Sequence, residues 1–60
     1  MLFNIEYLRE GVIKATAPWS GSEHEVRAIA RNGLAIHKCD TARVVYADIG
    51  VQLCALRLDA

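Results

Sequence analysis

The sequence has no apolar run approaching the ~20 residues that a membrane helix requires. Asn4, Glu6 and Arg9 interrupt its N-terminal apolar residues before the hydrophobic segment of a signal peptide could form. It has two cysteines, Cys39 and Cys54, and no C-x-x-C, so the expectation is two free thiols in a reducing cytoplasm. Charge of a dominant sign is missing as well. Seven basic residues balance seven acidic ones, so the overall field does not attract nucleic acid or anionic lipid, and any such role needs a local patch. The balance also leaves little repulsion between copies of the chain. There is no Gly-rich phosphate loop, and aromatics are few.

What the chain has is apolar content and a repeat. At 53% hydrophobic residues in 60, it is richer than the usual ~45–50%. A single domain of this length buries only roughly 60% of its unfolded surface, so apolar side chains are pushed outward and self-association is the simplest remedy. Tyr7-Leu8-Arg9-Glu10-Gly11-Val12 and Tyr46-Ala47-Asp48-Ile49-Gly50-Val51 share Y-x-x-x-G-V, 39 residues apart. Each copy lies between short runs of alternating apolar and polar residues, the signature of half-buried strands. Each therefore reads as a β-hairpin turning at its glycine.

A three-residue loop, Arg9-Glu10-Gly11, keeps the faces consistent. Tyr7 then faces Ile13, Ile5 faces Ala15 and Phe3 faces Ala17, while Glu6 faces Lys14 on the other side. A two-residue Glu10-Gly11 loop would mix the faces. In the second hairpin, Asp48-Ile49-Gly50 sets Ala42, Val44 and Tyr46 on one face with Leu56, Cys54 and Gln52. Arg43, Val45 and Ala47 then share the opposite face with Ala55, Leu53 and Val51. Pro18 is expected to end the second strand, and Trp19 to close one end of the core.

Between the hairpins, Ser20-x-x-Glu23 and Ser22-x-x-Glu25 are overlapping capping boxes that start a helix. Val26, Ile29, Ala30, Gly33, Leu34, Ile36 and His37 fall within an arc of about 160° on it. Gly33, on that inward arc, suggests close approach of helix to sheet. The whole of residues 1–60 is thus expected to form a single ββαββ domain of the α+β class. It has two layers, one four-stranded and mostly antiparallel sheet with a single helix packed on one face. Strand order 2-1-3-4, wholly antiparallel, is preferred to 1-2-3-4, which would set a parallel pair at the centre.

Candidate chemistry is thin. His37-x-Cys39-Asp40 puts three potential ligands in four residues, but zinc needs three or four convergent groups, usually as spaced pairs. No metal and no cofactor is assigned, and these residues read as a helix-end histidine, a buried thiol and a turn aspartate. Nucleophilic catalysis would need a Cys–His or Ser–His pair with an orienting group. Cys39 and His37, two apart, do not face each other on a helix, and a domain this thin is expected to lack a pocket of ~300 Å³. The chain is not expected to be an enzyme. Arg27, Arg31 and Lys38, with His24, form a basic stripe along the helix that could contact phosphates. Against this, Glu23 is spaced to pair with Arg27, and Phe3, Tyr7 and Tyr46 are taken up by the core, so nucleic acid is the lesser expectation. The open face of the second hairpin, with Val45, Val51, Leu53 and Ala55, is the stronger one. It points to a protein–protein surface, most simply a homodimer packing sheet on sheet or joining edge strands.

Gly33-Leu34-Ala35, His37, Asp40 and Ala42-Arg43-Val44-Val45, with the Asp48-x-Gly50 turn, resemble short uncharacterised bacterial proteins of about this length. The likeness covers about half the chain. It implies a ββαββ fold, and because that group has no assigned activity it transfers no functional residue. The function expected is a small, non-catalytic, self-associating interaction module in the cytoplasm, with a nucleic-acid-binding regulator as the alternative.

Overall fold

The structure, a computed structural model, describes residues 1–58. Two hairpins flank one helix: β1 Leu2–Arg9, β2 Val12–Ser20, α1 Glu23–Ile36, β3 Thr41–Tyr46 and β4 Gln52–Arg57. The strands form a single sheet in the order β2-β1-β3-β4, with every neighbouring pair antiparallel. The α+β reading of the sequence holds, and so does the preferred strand order.

Alternation in β1 does what its pattern predicts. Phe3, Ile5 and Tyr7 are buried, and they meet Val26, Ala30 and Leu34 from the helix and Ala42 and Val44 from β3. Of the helix arc, Val26, Ala30, Gly33 and Leu34 are buried, whereas Ile29 and Ile36 are 40% and 74% exposed. The helix lies over β3, β4 and β1, and an arc that reaches past these strands has nothing to bury against. Of the two capping boxes, the second forms. Ser22 Oγ accepts from the Glu25 amide and Glu25 Oε1 accepts from the Ser22 amide, while Ser20 belongs to β2 opposite Leu2. At the other end the Cys39 amide donates to Leu34 O and the Lys38 amide to Ala35 O. This is a Schellman closure, with Lys38 (φ 55) in the left-handed position that glycine usually fills.

Both hairpin registers differ from the sequence reading, each by way of a bulge. The first loop is the two-residue Glu10-Gly11, with φ of 53 and 80, the double positive φ of a type I′ turn. Arg9 pairs with Val12 and Leu8 with Ile13. The ladder then skips Lys14, so that Tyr7 meets Ala15, Ile5 meets Ala17 and Phe3 meets Trp19. The extra residue repairs the mixing of faces that counted against the short loop. It also moves Ile13 off the core face, where it had been expected, and leaves it 51% exposed. Glu6 now sits opposite Thr16 and Arg43 instead of Lys14. Nor does Pro18 end β2, which continues through Trp19 to Ser20.

In the second hairpin the expected pairs from Thr41–Arg57 to Val44–Cys54 form, but Val45 pairs with Gln52 and the ladder skips Leu53. The bulge exposes Gln52 and lets Leu53 pack against the core. The opposite choice would have buried an amide in place of a leucine worth ~1.5–3 kcal/mol when fully buried.

Gly33 sets the height of the helix above the sheet, because a Cβ there would overlap the Tyr7 ring. Gly33→Ala gains about 1 kcal/mol of helix propensity and meets overpacking that costs typically 1–3 kcal/mol. We expect net destabilisation, read as a lower urea midpoint with an unchanged m-value.

Candidate interaction surfaces

The four residues expected to share an open apolar face do not share it equally. Val51 is 54% exposed and Val45 only 6%. Ala55 is exposed, and Leu53 packs against the core. The cause is the β4 bulge, which turns Leu53 inward. The same bulge sets Gln52 opposite Val45 and brings Val51, before the start of β4, opposite helix-side Tyr46. What was expected as a contiguous patch is thus reduced to Ala55 and the nearly covered Val45. Glu6 and Arg43 pair in cross-strand positions on the same sheet face. Glu6 Oε1 lies 3.3 Å from Arg43 Nε but is not aligned for a hydrogen bond, and the arginine is exposed enough that screening leaves the contact weak.

Arg27, Arg31 and Lys38 are all exposed. Lys38 lies beyond the helix, which ends at Ile36, so the stripe proper is Arg27 and Arg31. The expected Glu23–Arg27 pairing is replaced: Glu23 Oε2 accepts a hydrogen bond from Tyr46 Oη. That bond, then loss of solvent and Glu23's charge beside it, holds the Tyr46 phenol above its ordinary pKa. Among the described residues the one ion pair is Glu6–Arg43, so neither helix arginine has a carboxylate partner there.

The His37-Cys39-Asp40 cluster is taken apart by the chain's own needs. The His37 ring stacks on Tyr7, with centroids 4.3 Å apart. Cys39 is buried and its Sγ contacts the His37 carbonyl oxygen at 3.4 Å, not the imidazole. Burial, with a smaller contribution from Cys39, pushes the Tyr7 phenol up. Among the described residues no three His, Cys, Asp or Glu side chains converge as metal ligands, and no helix is long and apolar enough to cross a membrane.

Asp40 has a role that sequence reading assigned only as "turn". Its Oδ2 accepts from the Glu10 amide at 3.0 Å and its Oδ1 from Thr41 Oγ1 at 2.8 Å. These two bonds, the Glu10 amide foremost, hold its carboxyl below the ordinary carboxylate pKa.

Two surface hollows break the expectation that the domain is too thin for any. One of about 410 Å³ lies between the first turn and the helix C-terminus, bordered by Arg9, Glu10, Leu34, Lys38, Asp40 and Leu58. Another of about 330 Å³ is lined by Met1, Leu2, Tyr46, Asp48 and Ile49. Both gather at the ends of the sheet, where loops from distant parts of the chain meet, which is why a strand-by-strand reading does not reveal them. Comparison with family models, with curated proteins and with solved structures finds no match to this chain.

The Asp40 carboxylate contributes stability above the unfolded carboxylate pKa, near 3.8, and that contribution fades as pH falls through its lower folded-state value. Asp40→Ala should therefore unfold more easily than the native chain at neutral pH. The gap between the two denaturation midpoints should narrow progressively below about pH 4.

Proposed function

We propose that this chain acts by self-association, as a small interaction module without catalysis. The observation that carries the reading is the number of large apolar side chains left in water. Nine of them are exposed by 40% or more among the described residues, in a domain whose one helix covers one face of the sheet. Single exposed apolar residues are ordinary. Nine in a chain this short are a large share of a surface that a partner could cover. Two free cysteines fit a reducing compartment such as the cytoplasm. A catalytic reading would need the Cys39 thiol against the His37 imidazole. Instead the thiol donates to the His37 carbonyl and the imidazole lies against the Tyr7 phenol ring, which are structural roles.

Sedimentation velocity over the micromolar range tests the reading. We expect a concentration-dependent shift to twice the chain mass, and a strict monomer at high micromolar concentration overturns it.

One observation favours a second reading, nucleic-acid contact through Arg27 and Arg31: Tyr46 takes the carboxylate that would have neutralised Arg27. Binding to a random duplex should then weaken with salt and fall further in Arg27→Ala/Arg31→Ala. Duplex binding unaffected by either would remove this reading.

A further inference from the structure

The sheet has two edges, β2 and β4, and their outward-facing backbone groups differ. In an antiparallel ladder, successive residues of a strand turn their N–H and C=O to opposite sides. The Tyr46 amide donates to Val51 O in the β4 hairpin, and the next amide, Ala47, donates to Leu2 O in β1. Carried along the registers, this alternation turns Cys54 and Leu56 inward to β3 and leaves Ala55 and Arg57 facing out of the sheet. On the other side, Phe3, Ile5 and Tyr7 face β2, so Ala15, Ala17 and Trp19 face inward and Thr16, Pro18 and Ser20 face out.

The β2 edge is therefore blocked at the middle one of its three outward positions. Pro18 has no N–H to offer at an outward position, and the Lys14 bulge interrupts the strand nearer the turn. Proline, lysine and bulges are the usual protections of an edge strand. The β4 edge has no proline and no charge before Arg57, and its own bulge lies at the loop end, away from Ala55 and Arg57. Among the described residues nothing pairs with its outer side.

We propose that β4 is the self-association surface and that its occupant is β4 of a second copy of this chain, paired antiparallel about a two-fold axis. This rests on the self-association reading and specifies its site. Antiparallel pairing centred on Leu56 sets Ala55 of one copy across from Arg57 of the other. A parallel arrangement would instead stack Arg57 on Arg57, and like charges directly opposite are destabilising. On the helix side, half-buried Leu56 would meet its counterpart at the axis, and half-buried Cys54 would lie across from the exposed Leu58 of the other copy, extending the apolar layer. Two-fold symmetry makes the contact self-complementary. The helix flank bearing Arg27 and Arg31 leans toward β4, because Glu23, next to it on the helical wheel, reaches Tyr46 while Gly33 and His37 sit over Tyr7 in β1. Pairing brings two such flanks to either side of the axis, and screening over about 8 Å at physiological salt moderates their repulsion. The test is therefore run at that ionic strength.

Ala55→Pro removes an outward N–H and leaves the β3–β4 ladder its donors, and Thr16→Pro does the same at the β2 edge. We expect Ala55→Pro to weaken dimerisation at least tenfold in sedimentation, and Thr16→Pro to leave it unchanged. Amide exchange in the native chain reads the same edge without a substitution. The Ala55 and Arg57 amides should be protected where the dimer forms and exchange freely on dilution, while the Cys54 and Leu56 amides stay protected throughout. A dimer in which Ala55 and Arg57 exchange freely, or which survives in folded Ala55→Pro, overturns the β4 assignment and leaves self-association standing. A monomer at every concentration overturns both.

Discussion

Asp40 ties three distant parts of the chain to one point. Its amide donates to Leu8 O, its carbonyl accepts from Leu58, and its carboxylate accepts from the Glu10 amide and the Thr41 hydroxyl. The end of β1, the tip of the first hairpin, the start of β3 and the end of β4 thus meet around a single residue just after the helix. In a chain with one small core, such a junction fixes where the strands begin relative to one another, and the packing above it follows. Tyr7 is held in the column that Gly33 leaves open, and the helix settles at a height set by that missing Cβ. The side chain is exposed enough that its electrostatic value in isolation is small. Its importance is positional, since it satisfies an amide in a turn that glutamate does not favour.

That turn is where sequence reasoning went astray, and the reason is physical. A type I′ turn needs positive φ at both central residues, and a non-glycine residue there is uncommon unless it is Asn or Asp. Glu10 gives no local sign that it will adopt φ 53. The bond that holds it comes from a residue 30 positions away, so the signal is tertiary and absent from the hairpin's own sequence. The face assignment of most of β1 and β2 was still legible, because a bulge following the short loop restores the alternation that the loop alone would have broken.

The second hairpin was more legible than it was read. Strict alternation there asked for Gln52 toward the helix and Leu53 toward the open face, an inversion of polarity at two adjacent positions. A bulge at Leu53 resolves it, and the two bulges fall at equivalent places, three residues past Gly11 and three past Gly50. The Y-x-x-x-G-V repeat therefore encodes more than a turn. It encodes a turn followed by an extra residue, and the copies differ in what that residue does: Lys14 is exposed, whereas Leu53 enters the core. The open-face patch dissolved for this reason. Its apolar residues were real, but the period of two assigned Leu53 and Val51 to the wrong side.

Taken with the topology, this shifts attention from the face of the sheet to its edges. A sheet with two open edges can add copies at both and grow without limit, whereas one blocked edge makes association close on itself. Pro18 supplies that block at β2. Its position is costly nowhere else, because on an edge strand with its nitrogen turned outward a proline gives up no ladder bond. Pairing through β4 would then use the remaining edge of each copy and leave none free, so association would stop at two.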